Sequence, residues 1–296
     1  MNEVRIDALL PQEMATRAEY LGVRKAEMPF LKMFMLAVLA GAFISLGSIF
    51  ATTVSAGAVA VTGSDGTVAF NTGLPYGVTR LLTGFVFSLG LILVVVGGAE
   101  LFTGNNLIVM AWASGKVTGR ALLRNWVIVY LGNFVGSMGT VVLMFLTKQY
   151  TFGANSVGIA ALNTGVAKVD LTFLQAVALG ILANGLVCLA VWLTYSARST
   201  MDKILAIIFP ITAFVAAGFE HSIANMYFIP YALFIKDFDP KFVAAVGDKV
   251  PHLDLLTWQA FLVNNLIPVT IGNIIGGAVL VAAVYWAIFL RIDKSQ

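Results

Sequence analysis

The charges of this chain cut it into pieces of membrane-crossing length. Stretches without Asp, Glu, Lys or Arg cover 33–64, 81–99, 101–115, 125–147, 171–197, 204–219, 221–235 and 255–290. A helix needs roughly 20 apolar residues to cross about 30 Å of hydrocarbon, and four of these runs (33–64, 125–147, 171–197 and 255–290) exceed that alone. The other four form two pairs, each split by one carboxylate: 81–115 around Glu100 and 204–235 around Glu220. At about 1.5 Å per residue each pair is too long for one straight crossing, so each reads as a single interrupted span. The count is six. Composition agrees, with 59% of residues hydrophobic and 11% charged, against about 25% charged in a typical soluble domain. The predicted fold class is an all-α membrane protein with six transmembrane helices, the second and fifth broken.

The N-terminal segment carries Glu3, Asp7, Glu13, Glu19 and Glu27, whereas a cleaved signal shows a basic start followed by an apolar core. Pro11 opens a helical pattern with Leu10, Met14, Ala18 and Leu21 on one face. Residues 1–30 are thus expected to form a short cytoplasmic amphipathic helix, a packing element or a gating lid. Residues 31–290 are expected to form a single pore domain, followed by a cytoplasmic tail, 291–296. With six spans both ends share one side. That side carries twelve Lys and Arg, including Lys32, Arg124 and Arg198, against six opposite, including Arg80, Lys168 and Lys249. The positive-inside rule then puts both termini in the cytoplasm, and the expected location is the cytoplasmic (inner) membrane. No basic stripe with interleaved aromatics suggests nucleic acid.

The two broken spans match. Glu100-Leu-Phe-Thr-Gly-Asn105 parallels Glu220-His-Ser-Ile-Ala-Asn225, and Gly132-Asn133-Phe-Val-Gly136 parallels Gly272-Asn273-Ile-Ile-Gly276. Repeat one covers about 31–147 and repeat two about 171–290. Three spans per half force the second half to enter the membrane from the opposite face, giving inverted repeats whose paired broken helices point to a transport site. Irregular backbone at membrane depth survives only inside protein or against a wet cavity. Thr103, Gly104 and Asn105 can supply the first break through glycine freedom and local side-chain hydrogen bonds; Ala217-Gly218 can supply the second. The two glycine pairs fit small-residue helix packing.

A carboxylate at the centre of a membrane helix costs about 2.5–3.5 kcal/mol and is a functional candidate. Glu100 and Glu220 are also scaffold candidates: each can accept the freed backbone amides of its own span, or pair with Asn225 and Asn105 across the pseudo-axis. His221 is the sharper signal. It sits at membrane depth, at a break and beside a carboxylate, whereas His252 lies in a charged outer loop. Histidine changes charge near neutral pH. Protonated, it offers an anion a counter-charge; by giving up its proton, it lets a weak acid cross neutral and avoid the penalty of a bare anion in low dielectric. Thr103, on the opposing break, can donate a second hydrogen bond.

No H-E-x-x-H or Gly-x-Ser-x-Gly occurs, and no second histidine lies within a span, so an enzyme, a metal site or a cofactor site is not expected. Cys188, the single cysteine, reads as a packing residue.

Ala99–Asn105 (AELFTGN), Phe219–Met226 (FEHSIANM) and Asn265–Gly277 (NLIPVTIGNIIGG) resemble the signatures of the formate/nitrite transporter family, closest to its formate channel branch. Asp7–Pro11 (DALLP) and Gly180–Trp192 (GILANGLVCLAVW) extend the resemblance over essentially the whole chain. It implies an aquaporin-like protomer, a homopentamer with one pore per protomer, and His221 with Thr103 as the central pair. Glu220, Asn184, Lys168 and Asn265 match the polar set that supports the histidine and draws anions to the mouth. Phe87, Leu91 and Phe214 match the outer constriction, and Leu101 and Val187 the inner one. The outer segment 55–80 has no matching motif.

The expected function is bidirectional, pH-dependent passage of formate, with His221 and Thr103 binding or protonating it. A nitrite or hydrosulfide channel of the same family is the alternative, because those branches share the Glu-His-Ser core. A neutral-solute pore has no use for a titratable histidine at its narrowest point. Channel and proton-coupled transporter need the same residues.

Overall fold

Helix boundaries fall where side chains can cap them or glycine can end them. In the computed structural model, which describes residues 7–59, 61–62, 68–70 and 73–292, α1 (Pro11–Ala26) starts at a proline and α2 (Phe30–Ser55) follows Pro29. A two-stranded antiparallel hairpin comes next, β1 (Val61–Thr62) on β2 (Val68–Phe70), with Val61 opposite Phe70. It departs from an all-helical chain and lies in the outer segment 55–80, part of which falls outside the described residues, as do residues 1–6 and most of the expected tail. Its β-branched and aromatic residues flanking a Gly-Ser-Asp-Gly stretch suit a hairpin.

The second span runs as α3 (Tyr76–Gly97), breaks at 98–103, and resumes as a 3₁₀ segment (Gly104–Ile108) leading into α4 (Val109–Ala113). The long α5 (Gly119–Leu146) is N-capped by the Thr118 hydroxyl. After a positive-φ turn at Lys148 and Ala154–Asn155 come α6 (Ser156–Val169) and α7 (Phe173–Ser196); Thr172 and Gln175 form a capping box on α7. The fifth span is split into α8 (Thr200–Ala217), started by a Ser199–Asp202 capping box, and α9 (Ser222–Phe238), followed by α10 (Pro240–Val246). The last span, Trp258–Arg291, widens into π-helical turns at Phe261–Leu266 and Ile275–Ala283.

Among the described residues six helices are long and apolar enough to cross a membrane: α2, α3, α5, α7, α8 and the last span. Packing is pairwise and repeats between the halves. In the first half α2 lies on α3 and α5; in the second, α7 lies on α8 and the last span; α3 against α8 joins the halves. Close approach rests on the paired glycines. Gly41 and Gly136 meet the backbones of Asn133 and Val38, and Gly272 and Gly276 meet those of Val177 and Ile181. A methyl group at any of these points would collide with backbone, which cannot swing aside.

α1 is not free. Met14, Ala15 and Ala18 are buried against the 3₁₀ segment and α4, Lys116 pairs with Glu19, and the Gln12 amide donates to the Phe289 carbonyl.

Candidate functional site

Breaking a helix in a membrane frees backbone groups that have no water to turn to. Both breaks turn at one glycine in the left-handed region, Gly98 (φ 75°) and Gly218 (φ 79°), 120 residues apart in sequence. Gly104 is not in that region; it opens the 3₁₀ segment, so the first break lies further upstream than Thr103–Asn105 suggested. The freed amides are taken up the same way twice. Asn133 Oδ1 accepts from Phe102 N–H (3.0 Å) while its Nδ2 donates to the carbonyls of Glu100 (2.9 Å) and Ala37 (2.8 Å). Asn273 Oδ1 accepts from Ser222 N–H (2.9 Å) while its Nδ2 donates to those of Glu220 (3.0 Å) and Gly180 (2.8 Å). An amide can donate and accept at once; a carboxylate only accepts. That is why asparagine, not glutamate, closes the break. Nothing in sequence separated Asn133 and Asn273 from the glycines around them beyond their occurrence in matched Gly-Asn-x-x-Gly pairs.

The glutamates are held otherwise than either expectation had it. Glu100 pairs with Lys25 of α1 (2.7 Å) and accepts from Asn105 Nδ2 (2.7 Å), which also reaches Asn125 (2.9 Å). Glu220 pairs with Lys168 of α6 (2.7 Å) and accepts from Asn225 (2.6 Å) and Asn265 (3.1 Å), and Asn225 reaches Asn265 (2.7 Å). Each carboxylate thus takes the asparagine of its own span, not one across the axis. A buried charge needs a cation, and both cations come from the short helix preceding each three-span unit. Lys168 is a last-turn residue of α6, not a loop charge, and α1 mirrors α6. Lys25 and Asn125 entered the sequence reading only as a basic residue and the first residue of a charge-free run.

Between the breaks the two halves touch. Thr103 Oγ1 lies 2.9 Å from His221 Nε2. His221 also caps α9, its Nδ1 accepting the Ala224 N–H (3.1 Å). With Nδ1 engaged as acceptor, the neutral ring carries its hydrogen on Nε2 and donates to Thr103, leaving the threonine hydroxyl proton to face another acceptor. Thr103 is fixed from behind, its carbonyl accepting from Asn184 Nδ2 (3.3 Å) and Cys188 Sγ (3.3 Å); Asn184 also donates to the Asn273 carbonyl (2.7 Å). Cys188 therefore touches the site's backbone as well as packing. Both His221 and Thr103 are buried, at 2% and 0% exposed.

Two cavities flank this region, and His221 lines one of them. The outer, about 340 Å³, is lined by Arg80, Thr83, Phe87, Lys168, Phe214, Glu220, His221 and Asn225. The inner, about 310 Å³, is lined by Lys25, Leu91, Glu100, Leu101, Gly104, Asn105 and Lys203. A void of about 10 Å³ lies between them, bounded by Phe87, Leu91, Leu101, Val187, Phe214 and His221. Phe87 and Phe214 meet edge to face at 5.6 Å on its outer side; Leu91 and Leu101 line both the void and the inner cavity. The arrangement is a pathway closed at its middle by apolar side chains, with His221 the polar group bordering the closure.

Residues 12–287 match the formate/nitrite transporter family. The chain belongs to that family. Among formate/nitrite transporter relatives it is 49% identical over 286 residues to the formate channel FocA of Escherichia coli strain K12, covering 96% of each. It is 41% identical over 275 residues to the formate channel FocA of Haemophilus influenzae, covering 92% of each. A solved structure described as a pentameric formate channel with formate bound superposes with a TM-score of 0.78 at 47% identity, over 88% of this chain and 98% of that one.

Proposed function

We propose that the protein passes formate in both directions through one pore per protomer of a homopentamer. On this reading it sits in the cytoplasmic membrane with both termini in the cytoplasm, residues 31–290 forming the pore domain. The relatives named for formate, and the pentameric structure with formate bound, support the substrate and the assembly. The observation that carries the reading is His221, which lines both the outer cavity and the closed void beside it and bonds to Thr103 of the other half at 2.9 Å.

A bare carboxylate faces a steep desolvation penalty in that constriction. The Thr103 hydroxyl and the His221 Nε2–H are the donors positioned to offset it. Charging the ring requires Nδ1 to release the Ala224 N–H, so protonation and the cap of α9 oppose each other; an N-cap contributes about 1 kcal/mol. Proton transfer from the charged ring to formate would let formic acid cross uncharged, and the ring regains its capping form when Nδ1 is the nitrogen left without hydrogen. Phe87 and Phe214 on the outer side and Leu101 and Val187 on the inner form the constrictions, with Leu91, expected with the outer pair, lining the inner cavity instead. Glu220, Asn225, Asn265, Asn184 and Lys168 hold the histidine's surroundings.

The test is formate flux into proteoliposomes for wild type and His221→Ala between about pH 5 and pH 8, where imidazole titrates, with nitrite and hydrosulfide as competitors. Wild-type formate flux with a pH profile that flattens in the variant supports the reading. Flux of nitrite or hydrosulfide without formate overturns the substrate, and an unchanged pH profile overturns the histidine mechanism.

A further inference from the structure

Each of the two lysines beside the breaks shares its charge with a carboxylate. Lys168 is paired with Glu220 at 2.7 Å and lies over the Phe228 ring, and Lys25 is paired with Glu100 at 2.7 Å. A compensated pair contributes little field a few ångströms away. The outer cavity holds one other cation, Arg80. Among the described residues no carboxylate lies within ion-pair distance of it.

Arg80 sits one turn inside α3 and is clamped to the end of α8. Its Nε–H donates to the Ala216 carbonyl (3.0 Å) and its Nη2 to the Val215 carbonyl (2.5 Å). Those carbonyls belong to the last turn of α8, where the helix end carries partial negative charge, and the Val215 carbonyl also accepts the Gly218 N–H (3.1 Å). Gly218 leaves room for the guanidinium, since a Cβ there would stand 3.2 Å from Nη2. A guanidinium has five N–H groups; two are used, which leaves one on Nη2 and both on Nη1. The clamp holds a planar, permanently charged donor fork in a cavity that also reaches Phe87, Phe214 and His221.

The inner cavity also carries a guanidinium, Arg17, held by a single bond from its Nη1 to the Tyr195 carbonyl (3.2 Å). One helical turn from the position equivalent to Arg80, α8 carries Lys203, which lines the inner cavity with Val94, Val95 and Gly98 near the end of α3. Its ammonium has no hydrogen-bond or ion-pair partner among the described residues. A flexible ammonium is a point charge, whereas a fixed guanidinium presents parallel donors that suit a carboxylate.

We propose that Arg80 is the anion-recruiting and specificity-determining residue of the outer mouth, a docking point where a small carboxylate binds the free edge of the guanidinium before it passes the Phe87–Phe214 constriction. The inference rests on the formate reading. It gives the outer mouth a guanidinium fixed by two carbonyls, where the inner mouth has Lys203 and an Arg17 held by one.

The experiment measures initial formate flux against formate concentration in right-side-out and inverted membrane vesicles carrying wild type, Arg80→Gln or Arg80→Lys, at low and high salt. Monodisperse elution of each purified variant controls for folding. Electrostatic capture raises association by about 10–1,000-fold and falls steeply with ionic strength. Arg80→Gln is therefore expected to cut flux from the outer face about tenfold at low formate, to keep most of the flux at saturating formate, and to lose most of its salt dependence. Flux from the inner face at low formate should change far less. Arg80→Lys should restore salt dependence and recover flux in part. An Arg80→Gln profile like the wild type's, or an equal loss at every concentration and from both faces, overturns the proposal while leaving the formate reading standing. A wild type that passes no formate overturns both.

Discussion

Asn133 and Asn273 perform one task at equivalent points of the two halves: each closes the backbone of a broken span by accepting from an amide just past the break and donating to the carbonyl of the glutamate before it. Both are fully buried. Replacing either with Leu strands one amide and two carbonyls in a site without water, and a buried unsatisfied group costs about 1–3 kcal/mol. Each variant is expected to lower the thermal unfolding temperature in detergent by a similar, large amount. A silent variant in either half would remove the closure role there.

Lys168 and Glu220 predict a non-additive cycle. Removing one partner leaves a buried charge uncompensated, at about 3–5 kcal/mol, while removing both does not. Lys168→Met and Glu220→Gln should each destabilise more than the double variant does relative to either. Additive losses in thermal unfolding would show that the two charges are not coupled.

Gly276 and Gly185 offer a contrast. Gly276 packs against the Ile181 backbone, while nothing lies within 4 Å of a Cβ added at Gly185. Both sit inside membrane helices, so helix propensity acts alike on them. Gly276→Ala should abolish assembly or sharply lower stability, since overpacking against backbone costs about 1–3 kcal/mol or more, whereas Gly185→Ala should be neutral or mildly stabilising. Size-exclusion profiles and unfolding temperatures of the pair decide it.

Outside the membrane, Tyr150 donates to Asp239 at 2.7 Å. That hydrogen bond, with the Phe242 amide, holds the Asp239 carboxyl below its usual range, and burial with the nearby carboxylate pushes the Tyr150 phenol up to about 12. A carboxyl lowered in the folded state adds stability above its unfolded pKa, and that stability fades as pH falls through the folded one. Tyr150→Phe should therefore destabilise near neutral pH and lose its effect in strong acid. An effect that grows as pH falls would reverse the assignment.

Six spans, two of them broken at a carboxylate, were legible because a bilayer rewards long charge-free runs and penalises each interruption, and charge position is a property of the linear chain. The inverted repeat was legible for a related reason: Glu100/Glu220 and the Gly-Asn-x-x-Gly pairs recur at matched points. His221 stood out by its type and depth. What closes the breaks was not legible. Asn133 and Asn273 lie about 30 to 50 residues along the chain from the amides they satisfy, and Lys25 lies 75 residues from Glu100, so no local pattern ties them together. Nor did sequence distinguish Gly98 from Gly104 as the turning residue, because both are glycines beside the same motif and only the backbone angle separates them.

Spacing and charge along the chain thus determined that it crosses a membrane six times in two related halves, since transfer of a segment into hydrocarbon depends on what that segment contains. Tertiary structure alone decided which groups neutralise the buried glutamates, that His221 Nδ1 is committed to capping α9, and that Arg80 has no carboxylate partner among the described residues. Hydrogen bonds and ion pairs act over a few ångströms, and only folding brings those partners that close.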